Sequence, residues 1–210
     1  MLRKILNFFG NIFLLPDEEK RYKKIFIDKT QHYRNELQEI YIDKVLVACE
    51  YEENIKNDLK KFKYEYNKKS LEKIVSCYVE LYHNFSESGK PGDIIVTWIP
   101  LFTLNRLLRW YNQTYLIWES LAKKVWLDFW KLLLKPKYTK RQARLDKNRR
   151  FSNLKHCFKI NYKYNVSIVW KTILLIDDVI STWTTSNEAA RVLKESWAKE
   201  IIWLFLATWK

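Results

Sequence analysis

The run ILLIDDVISTWTT, residues 173–185, holds the residues best suited to chemistry. Apolar residues lead into Asp177 and Asp178. Val179 then opens a loop in which Ser181, Thr182, Thr184 and Thr185 precede a helix. An acid pair at the carboxyl end of a parallel strand faces the ligand crevice of an open α/β sheet. Backbone N–H groups and hydroxyls at a helix N-terminus surround an anion, and the helix dipole adds to the attraction. The combination reads as a site for a sugar phosphate. Plainer readings make the aspartates structural and the hydroxyls N-caps of the helix at 184–196. Capping and phosphate binding use the same geometry, so the two are compatible. Trp183 stands in the middle of the loop, where a phosphate cradle least accepts a large ring.

The elements that must position this loop follow from the apolar patterning. KTILLIDD is a short leucine and β-branched run, the signature of a central strand. TSNEAARVLKES after it is a helix with polar caps, and KEIIWLFLAT is a last strand. Upstream, YIDKVLVACEYE (41–52) reads as a strand or hairpin arm. Residues 54–64 and 69–85 carry apolar residues at helical spacing. SESGKPGD is a turn cluster, and DIIVTWIP a buried strand ending at Pro100. A helical stretch is expected over 103–125, and residues 135–160 form a basic, weakly patterned excursion. Strand, helix, strand, helix, strand with short joints argues an α/β fold with a parallel sheet.

The chain has 210 residues and a formal net charge of +14. Anionic partners suit it: nucleic acid, nucleotides, phosphorylated sugars or anionic lipid. A solvated lysine-rich surface explains the same charge. Cys49, Cys77 and Cys157 lie far apart without a CxxC, and His32, His83 and His156 are equally scattered. Neither a disulfide framework nor a zinc site is indicated, and a reduced, cytoplasmic chain is expected. The opening MLRKILNFFGNIFLLPDEEK is interrupted by Asn7, Gly10 and Asn11 and is too short to span a bilayer. It reads as a docking helix, with a polar linker plus a helical turn or two over 17–40. No membrane span is expected.

Tryptophan is the compositional anomaly. There are 10 Trp and 3 Gly, and every Trp lies between Trp98 and Trp209. Glycine ordinarily makes up about 7% of a chain. Trp126 and Trp197 each follow a helix in the slot after its last residue, where φ is commonly positive and glycine preferred. Trp170 falls at a turn before the central strand, and Trp183 in the phosphate loop. Trp203, inside an apolar strand, is easily read as core. The pattern suggests UGA codons written as Trp in a lineage that reads UGA as glycine.

With glycine at those sites the chain resembles the ComF (ComFC) family of type I phosphoribosyltransferase-like proteins over roughly residues 40–210. RWYNQ, Arg109 to Gln113, is similar to the family's R-G-[FY]-N-Q after a strand ending in proline. TKRQARLDKNRRFSNLKHCF matches a second family pattern through Thr139, Gln142, Leu145, Arg150, Asn153 and Phe158. ILLIDDVISTWTT looks like the phosphoribosyl pyrophosphate (PRPP) signature of apolar residues, two acids and T-G-x-T, with Trp183 at the glycine. Trp110 replaces the glycine of the first motif. The zinc ribbon of many members is absent, so zinc is not implied.

The resemblance implies a type I phosphoribosyltransferase-like α/β fold, a mostly parallel central sheet flanked by helices. A small N-terminal helical or hairpin region is expected over 1–40 and the main domain over 41–210. It implies displacement of pyrophosphate from C1 of PRPP, a reaction of oxocarbenium character that depends on positioning and charge stabilisation. Asp177 and Asp178 would accept from the ribose hydroxyls, and one would reach a Mg²⁺ held by the pyrophosphate. Arg109 is a candidate pyrophosphate contact. Arg144, Arg149 and Arg150 lie on the basic excursion, as a closing lid or as a solvated face. Asn112 and Gln113 are polar site residues or helix caps. The family is associated with DNA uptake, so single-stranded DNA and uptake proteins are candidate partners. A non-catalytic nucleotide- or PRPP-sensing accessory and a single-strand DNA-binding module remain the alternatives. The motifs do not define the acceptor.

Overall fold

The computed structural model describes residues 22–36, 39–85, 91–100, 113–136, 156–164, 168–179 and 183–208. In chain order the elements are β1 (Lys24–Asp28), α1 (Thr30–Glu36), β2 (Lys44–Glu50), α2 (Glu53–Glu65), α3 (Lys68–Phe85) and β3 (Ile94–Trp98). There follow α4 (Gln113–Val125), β4 (Asp128–Phe129), β5 (Leu133–Leu134), β6 (Lys159–Ile160), β7 (Thr172–Val179), α5 (Trp183–Glu195) and β8 (Glu200–Thr208).

Strands covered on both faces read as continuous apolar runs rather than alternating ones. Such runs are VLVAC in β2, IIV in β3, ILLI in β7 and IIWLFLA in β8. Six strands form one sheet in the order β1-β2-β8-β7-β3-β4. Every pairing is parallel except that of β1 with β2. The short β5 and β6 make a separate antiparallel pair. The expected mixed α/β architecture with a mostly parallel sheet is therefore observed.

Each face of the sheet is covered by helices. On one face Leu46, Val96, Leu174, Ile176 and Leu204 pack against Phe62 of α2, Tyr78 and Leu81 of α3 and Leu121 of α4. On the other, Val47, Ile173, Leu175, Trp203 and Phe205 pack against Tyr33 of α1 and Ala189, Ala190 and Leu193 of α5. No helix among the described residues is long and apolar enough to cross a membrane.

The stretch expected as linker differs. Residues 24–28 form an edge strand hydrogen-bonded to β2, with an irregular register at Phe26, and α1 follows. A five-residue strand whose partner lies some twenty residues away leaves little local signature. An irregularity of this kind is a common way of blunting a sheet edge. Of the expected helix over 103–125, residues 113–125 are helical as α4 and 101–112 lie outside the described residues.

Two helices end alike. After α4, the Leu127 N–H donates to the Ala122 carbonyl at 3.0 Å while Trp126 takes φ 56°. After α5, the Ala198 N–H donates to the Leu193 carbonyl at 3.2 Å while Trp197 takes φ 67°. Both are Schellman closures, with tryptophan in the left-handed position that glycine usually fills. In the turn before β7 the Lys171 N–H donates to the Ile168 carbonyl at 3.1 Å, and Trp170 takes φ 60°. These are the three helix-end and turn positions at which the sequence pattern called for glycine.

Candidate functional site

Adjacent parallel strands β3 and β7 are followed by helices on opposite faces of the sheet. α4 belongs to the Val96 face and α5 to the Val47 face. Their chain continuations diverge where the strands end, at Trp98 and Val179. A crevice opens at such a switch point, outside the carboxyl ends of the strands, and ligands of open α/β sheets bind there. The Arg109 motif follows β3 and the acid pair ends β7, so the topology starts both segments from one sheet edge.

Asp177 pairs in register with Phe205 of β8. Strand alternation puts it on the face of Ile173 and Leu175, which is the α5 face. The Tyr78 hydroxyl donates to the Asp177 backbone carbonyl at 2.6 Å, fixing the strand end from the opposite helix layer. Tyr78 was legible only as an apolar-face residue of a helix; its hydrogen bond had no local signal.

Asp177 is only partly covered, yet its carboxyl is pushed up to about 7 from an ordinary 3.8. Loss of hydration is the main cause, and Lys63 opposes it. The folded state thus keeps this proton through a range where the unfolded chain has released it. Stability contributed by the neutral carboxyl is complete below about pH 4 and is lost as pH rises through about 7. Asp177→Asn is expected to flatten that slope and to be more stable than the parent at pH 8 by about 1–2 kcal/mol. That is well under the roughly 4 kcal/mol that three units carry in a group cut off from water. Urea unfolding at pH 4, 6 and 8 measures it; a variant that loses stability in parallel with the parent contradicts this account.

α5 opens at Trp183, with Thr184 and Thr185 partly buried in its first turn. Ser186 is fully buried, and its Oγ has no hydrogen-bond partner among the described residues. Asn187 ties this turn to the N-terminal region. It accepts from the Tyr33 hydroxyl and from the Tyr41 N–H at 3.0 Å, and donates to the Glu39 carbonyl at 2.7 Å. The basic excursion rejoins the described fold at His156, whose N–H donates to Glu188 of α5 at 2.7 Å.

The Trp183 indole lies among aromatic rings. Its centroid is 5.3 Å from Tyr33, 5.6 Å from His32, 5.6 Å from Trp203 and 6.4 Å from Phe205. Phe205 is the register partner of Asp177, so the indole packs on the aromatic cluster of α1 and β8 that flanks the acid-bearing strand end.

Of the residues expected at the site, the fold brings Asp177, Trp183, Thr184 and Thr185 to this edge. Asp178, Val179 and Gln113 are placed by their backbone alone, the first two ending β7 and the last opening α4. Arg109, Asn112, Arg144, Arg149, Arg150, Ser181 and Thr182 lie outside the described residues. No group of three or more His, Cys, Asp or Glu side chains able to hold a metal occurs among the described residues. All three cysteines are buried and stand outside any disulfide.

No family model matches the chain. It is similar to competence protein F of Haemophilus influenzae, 29% identical over 181 residues, with 82% of this chain and 77% of the relative covered. The resemblance carried by the three motifs thus extends over most of the chain. Among solved structures it is similar to the adenine phosphoribosyltransferase of Leishmania donovani. The TM-score is 0.42 at 16% identity, over 71% of this chain and 68% of the other. It is also similar to the allosteric regulatory enzyme of purine biosynthesis, with TM-score 0.40 at 16% identity, and to the glutamine PRPP amidotransferase of B. subtilis, with TM-score 0.38 at 15% identity. Each of these last two matches covers 64% of this chain, which spans about a quarter of those enzymes' length.

Proposed function

We propose that this competence-protein-like chain binds PRPP with Mg²⁺ at the carboxyl edge of β3 and β7 and displaces pyrophosphate in transfer to an acceptor, in the service of DNA uptake. One observation carries the reading. An acid-ended central strand, followed by a hydroxyl-rich helix start, stands at the topological switch point beside the strand that leads into the Arg109 motif.

The division of labour follows from chemistry. Asp177 and Asp178 accept from the ribose hydroxyls. The first turn of α5, with Thr184 and Thr185, receives the 5′-phosphate through N–H groups, hydroxyls and the helix dipole. Arg109 and the arginines at 144, 149 and 150 supply positive charge for the leaving pyrophosphate. The carboxyl of Asp177 is a hard oxygen ligand of the kind Mg²⁺ takes. Mg²⁺, when bound, neutralises charge on the pyrophosphate. The Tyr78 bond to the Asp177 carbonyl holds the acid-bearing backbone in place before ligand arrives.

A second reading has its own observation. Tyr64 and Tyr66 are 70% and 45% exposed at the end of α2, among Lys60, Lys61 and Lys63, a surface on which single-stranded DNA bases can stack. One calorimetric experiment separates the two. PRPP with Mg²⁺ is titrated into the Trp183→Gly chain, and into the same chain with Asp177→Asn or Asp178→Asn added. A single-stranded oligonucleotide is titrated in parallel at two salt concentrations. PRPP binding that needs Mg²⁺ and drops at least tenfold with each Asn substitution is expected. Absence of PRPP binding beside strongly salt-dependent oligonucleotide binding supports the DNA reading instead.

A further inference from the structure

We infer that the positions written as tryptophan in this sequence are glycine positions of the fold, and that the protein made in its own cells carries glycine at all ten. The inference stands on backbone and packing, and does not depend on which ligand the site takes.

The first observation is conformational. Six non-glycine residues among those described have positive φ, and three of them are Trp126, Trp170 and Trp197. Tryptophan is only 10 of 210 residues, so half of the left-handed sites fall on a type that supplies about one residue in twenty. A left-handed L-residue brings its Cβ against the following carbonyl oxygen, a clash glycine escapes. Each site is also one where glycine is the usual occupant: two Schellman closures and one turn position with φ above zero. Nothing compensates at these sites. The side chains are 85%, 72% and 73% exposed, so the large rings are left in water. Phe26, Tyr66 and His156 also have positive φ, but Tyr66 is one of eleven described tyrosines, whereas three of the eight described tryptophans are left-handed.

The second observation concerns the interior. Trp98, Trp118 and Trp203 are buried, and none of their indole N–H groups has an acceptor among the described residues. Buried indoles ordinarily find a partner. The rings of Trp203 and Phe205 are tilted with centroids 3.8 Å apart, closer than the usual 4.5–7 Å between aromatic centroids. Trp183 packs on the same pair at ordinary distances, 5.6 and 6.4 Å. Glycine in a strand marks a close approach of backbone or ligand, and residue 203 lies on the Asp177 face of the neighbouring strand.

The third is composition. The three glycines alone are well below the usual share; with the tryptophans they reach about 6% of the chain, near the ordinary 7%. A single recoded codon accounts for all three observations, because every misfit then has one cause.

The test has two readings. In the gene, all ten tryptophan codons are expected to be UGA; a UGG at any of them overturns the single-codon account. In protein isolated from its own cells, the intact mass is expected to fall short of the written sequence by ten indolylmethyl groups, each replaced by hydrogen. Fragment sequencing is expected to place glycine at 126, 170, 183 and 197, and tryptophan emission to be absent. A native fragment with tryptophan at any of those four positions overturns the inference, even where the codon is UGA.

Discussion

Replacing Trp126, Trp170 and Trp197 together by glycine is expected to raise the thermal midpoint of the written chain by about 5–15 °C. Large-to-small changes normally destabilise through lost burial. These three side chains are 85%, 72% and 73% exposed, so little burial is at stake. Their backbones hold φ of 56°, 60° and 67°. A left-handed L-residue costs about 1–2 kcal/mol that glycine escapes. Glycine also loosens the unfolded chain, which returns about 0.4–1 kcal/mol per site to the unfolded state. The net over three sites is about 2–4 kcal/mol, and about 2–4 °C per kcal/mol follows for a chain of this size. Trp170 and Trp197 are not independent, since the Trp170 N–H donates to the Trp197 carbonyl at 2.9 Å. Circular dichroism melts of the triple glycine and triple alanine versions test the mechanism. Alanine removes the ring but keeps Cβ, so it should gain little. An equal gain from alanine, or a lower midpoint with glycine, contradicts the backbone explanation.

Trp183→Gly is expected to strengthen binding of PRPP with Mg²⁺ by about a hundredfold over the written chain. The indole stands among His32, Tyr33, Trp203 and Phe205, beside the register partner of Asp177. A 5′-phosphate at the start of α5 needs the backbone to approach closely, and a ring there holds it off. Hydrogen bonds to a charged group contribute about 1.5–3 kcal/mol each. Regaining one or two of them amounts to about 3 kcal/mol, or about two orders of magnitude in affinity. Removing the ring also opens a cavity, so the variant should be less stable without ligand. Trp183→Phe is the control: it keeps a ring and should gain no affinity. Equal binding by the written chain and the Trp183→Gly variant, measured by calorimetry, would refute the obstruction.

Much of the architecture was legible because the signals are local. Continuous apolar runs announced β3, β7 and β8, and alternation in residues 41–52 announced β2, to within a few residues of their observed spans. Apolar residues at helical spacing placed α2 and α3. The capping pattern alone marked residues 126 and 197 as left-handed, and both are; Trp170, expected only at a turn, is left-handed as well. Helix ends and turns are governed by the φ of one residue and hydrogen bonds a few residues long, so sequence suffices to find them. β1 and the two-residue strands β4, β5 and β6 escaped, while α1 was foreseen only as a helical turn or two somewhere in 17–40. They are short, and partners distant in sequence define them rather than any periodicity of their own.

The candidate site divides along the same line. Residue types and spacing alone singled out the acids, the hydroxyl-rich run and the ring at 183 as a candidate site, because a phosphate loop is a contiguous device. Only the tertiary structure set β3 beside β7 and sent their following helices to opposite faces. It alone made Asp177 a carboxyl that resists ionising, held its backbone with Tyr78, and tied α5 to the N-terminal region through Asn187 and Tyr33, 154 residues apart. Strand order, desolvation and such long-range bonds depend on which surfaces meet when the chain closes, and no window of neighbouring residues contains that information.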